Sequence, residues 1–273
     1  MASKVWFITG SSRGFGREWA QAALDRGDRV AATARDLDTL SELVETYGDA
    51  VLALKLDVND RAADFDAVAQ AHEHFGRLDV VINNAGYGLF GTIEEVSEEE
   101  ARAQIETNLF GALWVTQAAL PYLREQRNGH IIQVSSIGGI AAFAGVGLYH
   151  ASKWGLEGFS EALALEVAEF GIHVTLVEPG GFDTDWSGSS AVRAEPIDAY
   201  AEARKQMAAR RSQLPQGKTG ATGAAILQIV DAAEPPLRVF FGAPPLAIAK
   251  ERYAQRLQTW EEWNELSVAA QGG

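Results

Sequence analysis

Tyr149 and Lys153 carry the clearest chemical potential in this chain. They stand four residues apart, so on a helix they share one face. A tyrosine with its ordinary pKa of about 10 is a poor base at neutral pH. A lysine ammonium beside it favours the phenolate and moves the phenol toward the range where it can donate and accept a proton in turn. Tyr-x-x-x-Lys also arises by accident on helices, so the pair alone does not establish a site. Ser136 strengthens it. It lies thirteen residues before Tyr149, just after the apolar run His130 to Val134, and a hydroxyl at the carboxyl end of a strand can reach the same pocket and bond a substrate oxygen. Its neighbour Ser135 competes for that place.

Other chemistries find less support. The chain has no cysteine, which excludes thiolate catalysis, disulfides and cysteine metal sites. His72, His74, His130, His150 and His173 show no metal-ligand spacing, and no metal is expected. His150 adjoins Tyr149 but is expected to point elsewhere, and His72 and His74 are expected on an exposed helix. Glu94, Glu95 and Glu98 to Glu100 read as a solvated loop and helix start.

A second constellation begins at Thr9. The run Thr9-Gly10-Ser11-Ser12-Arg13-Gly14-Phe15-Gly16 follows the apolar segment Val5 to Thr9 and opens a helical pattern. A dinucleotide needs its pyrophosphate close to backbone N–H groups at a helix N-terminus, and glycines permit that approach. The spacing G-x-x-x-G-x-G differs from the commoner G-x-G-x-x-G, but the strand–turn–helix setting is the confirming one. Arg35 follows the second apolar run, where enzymes that bind NAD usually carry an acid, and Arg13 lies in the glycine loop. Two guanidinium groups on one edge suit a 2′-phosphate, so NADP(H) is expected over NAD(H). The alternative is two surface arginines paired with Asp36 or Asp38.

The elements that must position these groups alternate. Strands are predicted over Val5 to Thr9, Val30 to Thr33, Val51 to Leu56, Leu78 to Ile82, His130 to Val134, Ile172 to Val177 and Leu237 to Phe241. Helices are predicted over Arg17 to Asp25, Leu37 to Tyr47, the stretch ending at Gly76, a long one from Ser97 to Leu123 with Ser97 and Glu100 as a capping box, and Tyr149 to Phe170. The pattern specifies an α/β fold: one Rossmann-type, doubly wound parallel sheet with helices on both faces, in a single domain over 1–273. The stretch 181–217 interrupts the rhythm without a strand and is expected to form a substrate lid, or else a surface excursion without a role. A helical extension is expected over about 244–266, where Trp260 and Trp263 fit packing or a subunit interface better than substrate contact.

Composition agrees with an ordinary globular chain: 273 residues, 47% hydrophobic and 22% charged. A formal net charge of −14 repels phosphate backbones, so nucleic acid is not an expected partner. No apolar stretch is long enough to span a bilayer, and no signal-like segment precedes the first strand; a cytoplasmic location is expected.

The glycine loop, Asn83-Asn84-Ala85-Gly86 after the fourth strand, Asn108, Ser136, Tyr149 with Lys153, and Pro179-Gly180 with Thr184 together resemble the short-chain dehydrogenases/reductases of about 250 residues, over residues from about 4 to 184. The resemblance implies interconversion of a carbonyl and an alcohol by hydride transfer. Tyr149 would protonate the carbonyl oxygen, Ser136 would hold it, Lys153 would bind the nicotinamide ribose and tune Tyr149, and Asn108 would hold a water in the proton relay. It also implies cofactor contacts from Gly10, Ser12, Arg13, Gly14, Phe15, Gly16, Arg35, Asp57, Val58, Asn84, Ala85, Gly86, Tyr149, Lys153, Pro179, Gly180, Phe182 and Thr184. Asp57-Val58 could equally be the neighbourhood of a helix cap, and the Asn108 amide could serve only the backbone. Tyr87, Phe90, Phe143, Phe182 and Trp186 fall near the expected pocket and would suit a small hydrophobic substrate, although each also fits ordinary packing. A homodimer through the fifth and sixth helices, or a homotetramer, is expected. The family often ends in a glycine-rich segment; here Phe241-Gly242-Ala243-Pro244-Pro245 leads into a further helix, which departs from the usual tetramer contacts. Two other classes are weighed against this one. A nucleotide-sensing or scaffold protein could keep the fold without the chemistry, and an epimerase or dehydratase would call for a larger C-terminal domain than this chain has.

Overall fold

The computed structural model describes residues 3–212 and 215–272. Seven strands form one parallel sheet: β1 (Val5–Ile8), β2 (Arg29–Ala34), β3 (Val51–Lys55), β4 (Val80–Asn83), β6 (Gly129–Val134), β7 (Ile172–Pro179) and β9 (Arg238–Phe241). Two short strands, β5 (Leu89–Phe90) and β8 (Val192–Arg193), pair apart from it. The order in space is β3-β2-β1-β4-β6-β7-β9. The direction of winding reverses between β1 and β4, the place where such sheets bind ligands at their carboxyl edge. The central strands are mostly apolar because both faces are covered: every residue of β1, β4 and β6 is buried, with Asn83 in β4 and His130 and Gln133 in β6 as the polar exceptions.

One face packs on α3 (Arg61–Phe75), α5 (Gly111–Gln126) and α6 (Gly147–Val167), through Phe7, Val81, Ile131, Val115 and Leu163. The other packs on α1 (Gly14–Asp25), α2 (Ser41–Tyr47) and α8 (Thr222–Asp231), through Trp6, Ile8, Trp19, Ile82 and Ile226. Local signals set the helix ends. Asp60 accepts from the Ala62 and Ala63 amides at the start of α3, and Gly76 ends that helix at a φ of 77°. Ser97 and Glu100 form the expected capping box at the start of α4 (Glu98–Ile105).

Three segments differ from their sequence-based expectation. The long helix from Ser97 is α4 and α5 joined by a π-turn over Glu106–Phe110, so its register shifts where Asn108 sits. The predicted helix over Leu37 to Tyr47 begins as a 3₁₀ turn and becomes α-helical only at Ser41. The segment 181–217 does contain a strand: β8 lies parallel to β5, and α7 (Ala201–Ser212) follows. Two residues of β8 are too short to give an alternating pattern, and their partner lies far away in sequence. At the C-terminus, α9 (Pro244–Glu262) and α10 (Asn264–Ala270) form the extension, with Trp260 and Trp263 exposed rather than packed.

His130 on β6 is buried against Thr175 on β7. The Thr175 hydroxyl donates to the Pro236 carbonyl at 2.7 Å, so it accepts from His130 Nε2–H at 2.9 Å. Burial, with His173 and Lys4 adding repulsion, lowers the His130 pKa to about 3. The folded value lies below the ordinary 6.5, so this contribution is complete above pH 6.5 and is lost as pH falls. Urea denaturation across pH 7 to 4 is expected to show wild type losing about 1.4 kcal/mol per pH unit relative to His130→Gln below the ordinary value. Parallel curves for the two proteins would refute it.

Candidate active site

The glycine loop leaves β1 and turns into α1 against the end of β4. Thr9 fixes this junction. Its hydroxyl accepts the Asn84 and Ala85 amides at 2.9 and 3.0 Å and donates toward the Ile82 carbonyl. The Asn84 side chain donates to the carbonyls of Thr9 and Gly10, both at 3.0 Å. The two loops touch so closely that a Cβ on Gly16 would lie 2.3 Å from the Gly10 oxygen and 2.6 Å from Asn84 Nδ2. Gly10 itself holds a φ of +68°. No side chain caps α1, so its first amides stay available. A cradle with no room for a side chain, below an uncapped helix N-terminus, fits a dinucleotide pyrophosphate.

The arginines stand at the rim. Arg35 is exposed and makes no hydrogen bond or ion pair among the described residues. Arg13 does not pair with Asp36 or Asp38. It reaches Asp185 at 2.8 Å, in the segment after β7. Thr184 packs near Gly14 and caps the turn at Asp185. Asp57 is exposed and accepts from the Asn59 amide, whereas the Val58 side chain packs where Gly111 leaves room on α5. Phe15 and Phe182 direct their rings at each other, 5.1 Å apart and against Trp19, so Phe182 braces the loop from below and does not join an aromatic wall over Tyr149.

Tyr149 and Lys153 lie in the first turns of α6, both buried. Of the two serines, Ser136 is the one beside the Tyr149 phenol. Ser135 Oγ is buried near Glu157, on the other side of Gly139. Lys153 Nζ donates to the Val134 carbonyl at 2.7 Å and lies 5.8 Å from the centre of the Tyr149 ring. Burial pushes the phenol up to about 12, against the Ser136 hydroxyl, which favours the phenolate. Burial likewise brings Lys153 down to about 8, with Glu157 opposing. The sequence-based expectation of a phenol lowered by its lysine therefore misses desolvation, which dominates at a depth no spacing rule reports.

Asn108 is buried in the π-turn, and its amide is fully engaged. Oδ1 accepts the Tyr87 amide at 3.1 Å, and Nδ2 donates to the Tyr87 carbonyl and to Ser152 Oγ. The side chain thus clamps the loop after β4 to α6. Ser152 in turn donates to the Tyr149 carbonyl at 2.7 Å.

Two residues have roles that the sequence did not assign. His150 Nε2 accepts the Phe143 amide, so Nδ1 carries the ring proton and donates to the Gly138 carbonyl at 2.9 Å. This holds the loop that follows Ser136. Glu95 is not solvated: it is buried, accepts the Thr92 and Ile197 amides and pairs with Arg204, anchoring the segment 181–217. Trp186, one of the aromatic residues expected near the pocket, lies in that anchored segment, with its ring 4.9 Å from Tyr149 and 5.0 Å from Phe90, in space that Gly88 leaves open. The one sequence clue was that Glu95 sits in an acid run yet is flanked by Ile93 and Val96.

Gly16→Ala tests the cradle. The added methyl must push apart the loops that Asn84 joins, so fluorescence titration is expected to show NADPH affinity reduced at least ~100-fold in a folded protein. Unchanged affinity would place the dinucleotide elsewhere.

Comparison with known proteins agrees with this geometry. The family described as short chain dehydrogenase matches residues 4–194. An oxidoreductase of Botryotinia fuckeliana is 42% identical over 98% of this chain and 99% of its own. A 3-ketodihydrosphingosine reductase of Bacteroides thetaiotaomicron is 39% identical over 89% of each chain. The crystal structure of a short-chain dehydrogenase from Streptomyces avermitilis superposes with a TM-score of 0.92 at 38% identity, covering 98% of both chains. The chain belongs to the short-chain dehydrogenases, oxidoreductases that bind a nicotinamide dinucleotide.

Proposed function

We propose that this protein is an NADP(H)-dependent reductase or dehydrogenase that interconverts a small hydrophobic carbonyl compound and its alcohol, with Tyr149 as acid and base. The observation that carries the reading is the convergence of the Tyr149 phenol, the Ser136 hydroxyl and the Lys153 ammonium, with Trp186 against the phenol and Phe90 against Trp186. Gly10, Gly14 and Gly16 would admit the pyrophosphate, and Arg13 and Arg35 would hold a 2′-phosphate. When bound, the nicotinamide supplies or accepts the hydride.

The residues of the chain handle the oxygen and its proton. Ser136 orients the substrate oxygen toward Tyr149, which donates its phenolic proton in reduction and withdraws one in oxidation. The charged Lys153 stabilises the phenolate left behind. Asn108, through Tyr87 and Ser152, keeps α6 at a fixed distance from the cofactor edge. The segment 181–217 acts as the lid, with Trp186 excluding water from the phenol. A hydrophobic substrate is supported by the Trp186 and Phe90 rings, and the Bacteroides relative's own name denotes a keto-group reductase. A homodimer through α5 and α6 belongs to the same reading, supported by Trp154 and Leu165, which are exposed on α6.

NADPH oxidation with a panel of aldehydes and ketones is the direct test. Tyr149→Phe is expected to reduce turnover at least ~1,000-fold without loss of NADPH affinity, and substantial residual turnover would remove Tyr149 from its role. Arg35→Asp is expected to weaken NADPH at least ~10-fold more than NADH, since a phosphate loses a cation and gains an anion; equal effects would overturn the cofactor preference. Lys153 loses its charge as pH rises through about 8, not 10.5, so the reductive rate is expected to fall above about pH 8. A rate that stays flat to pH 10 would refute this dependence.

A further inference from the structure

One helical turn beyond Lys153 begins a buried acid pair that the reaction as described does not use. Glu157 follows Lys153 by one helical turn on the same face of α6. Glu178 enters from β7, and Arg238 from β9. The Arg238 Nε donates to Glu157 Oε2 at 2.9 Å, its Nη2 donates to the exposed Glu161 at 2.7 Å, and its Nε stands 3.5 Å from Glu178 Oε1. Glu178 is 1% exposed, and among the described residues no hydrogen-bond donor reaches either of its oxygens, nor do Glu157 Oε1 and the hydroxyl of Ser135 have a partner there. A cavity of about 300 Å³ under α9 is lined by Glu178 and Arg238 together with Phe240, Lys250 and Tyr253.

An ionised carboxylate with no hydrogen bond in such a place is costly, and two adjacent ones more so. One proton shared by the pair removes the repulsion and gives Glu157 Oε1 a donor. Lys153 needs the opposite remedy. Its ammonium is buried with one carbonyl as hydrogen-bond partner among the described residues, and Glu157 is the group that opposes its loss of charge. Of the other charged or titratable groups, Arg238 on β9 and Glu161 on α6 adjoin the pair, Lys250 and Tyr253 on α9 line the cavity, and Tyr149 adjoins Lys153.

Resting on the reading of Lys153 given above, we propose that Glu157 is a positioning residue, the counter-charge that keeps Lys153 protonated, and that Glu178 carries the proton the two carboxyls share. The raised pKa of Glu178, about 8 through burial and the neighbouring Glu157, is consistent with that division. The acid pair would thus set the pH range over which Tyr149 has a charged lysine beside it.

The test reads Lys153 directly, by NMR titration of protein carrying ¹³C at the lysine ε-carbons, with the signal assigned by Lys153→Arg. Glu157→Gln is expected to lower the Lys153 midpoint by about one unit or more. Glu157→Asp, which keeps the charge, restores most of it. Glu178→Gln, which mimics the protonated partner, leaves the midpoint within about 0.3 units of wild type. An unmoved midpoint in Glu157→Gln overturns the proposal, and so does a drop of a unit in Glu178→Gln, which would make Glu178 the counter-ion. The second variant decides the matter even if the first does not fold. The basic limb of the rate profile for any carbonyl that turns over is expected to move with the same midpoints, which a merely structural role would not produce. The titration needs neither substrate nor cofactor. If it behaves as stated while no carbonyl is reduced, only the reaction assignment falls; if turnover is found but the midpoints do not follow, only the counter-charge role falls.

Discussion

The contact between the loops leaving β1 and β4 governs the rest of the molecule. Thr9 and Asn84 join those loops with a short set of hydrogen bonds, and Gly16 lets α1 approach where no methyl group would fit. Parallel strands diverge at this point because the chain winds outward in opposite directions from β1 and β4. A crevice is thereby opened at the carboxyl edge, and the hydrogen bonds decide how narrow it is. The helix N-terminus, the rim arginines and the loop of Asn84 to Gly86 take their positions from that junction. Asn108 extends it to α6, so the phenol and the glycine cradle are connected through Tyr87 and Ser152 rather than placed independently.

Electrostatics at the site is a contest between burial and neighbours. Tyr149 and Lys153 are both buried, and burial drives them in the same chemical sense, toward the neutral forms. Ser136 acts against that drift at the phenol, and Glu157 acts against it at the ammonium. The pair Glu157 and Glu178 lies on the side that a list of substrate-contacting residues would leave out. Desolvation here is not incidental packing: it makes the protonation states depend on a few specific charges instead of on bulk water.

Much of the fold was legible because its signals are local and periodic. All seven strands of the main sheet were predicted from apolar runs, and the Ser97 capping box and the glycine at the end of α3 from single residues of the right type. The glycine turn falls where strand–turn–helix spacing puts it, and Ser136 rather than Ser135 lies beside the phenol, a choice that the family resemblance made and spacing alone left open. What was not legible depends on contacts between distant segments. Glu95 looked solvated because its partners, Ile197 and Arg204, lie about a hundred residues away. Phe182 and Trp186, four residues apart, end on different sides of the loop, one bracing α1 and the other over Tyr149.

The sequence by itself determined the doubly wound sheet, the glycine turn into α1 and the identity of the groups brought to the switch point, since periodicity, glycine placement and helical spacing act within a few residues. Only the tertiary structure decided how deeply Tyr149 and Lys153 are buried, which hydroxyls and carboxylates surround them, and where the segment after β7 lies. Those depend on solvent exclusion and on charges that approach through space from β7, β9 and the segment after β7, and neither quantity is written in the order of neighbouring residues.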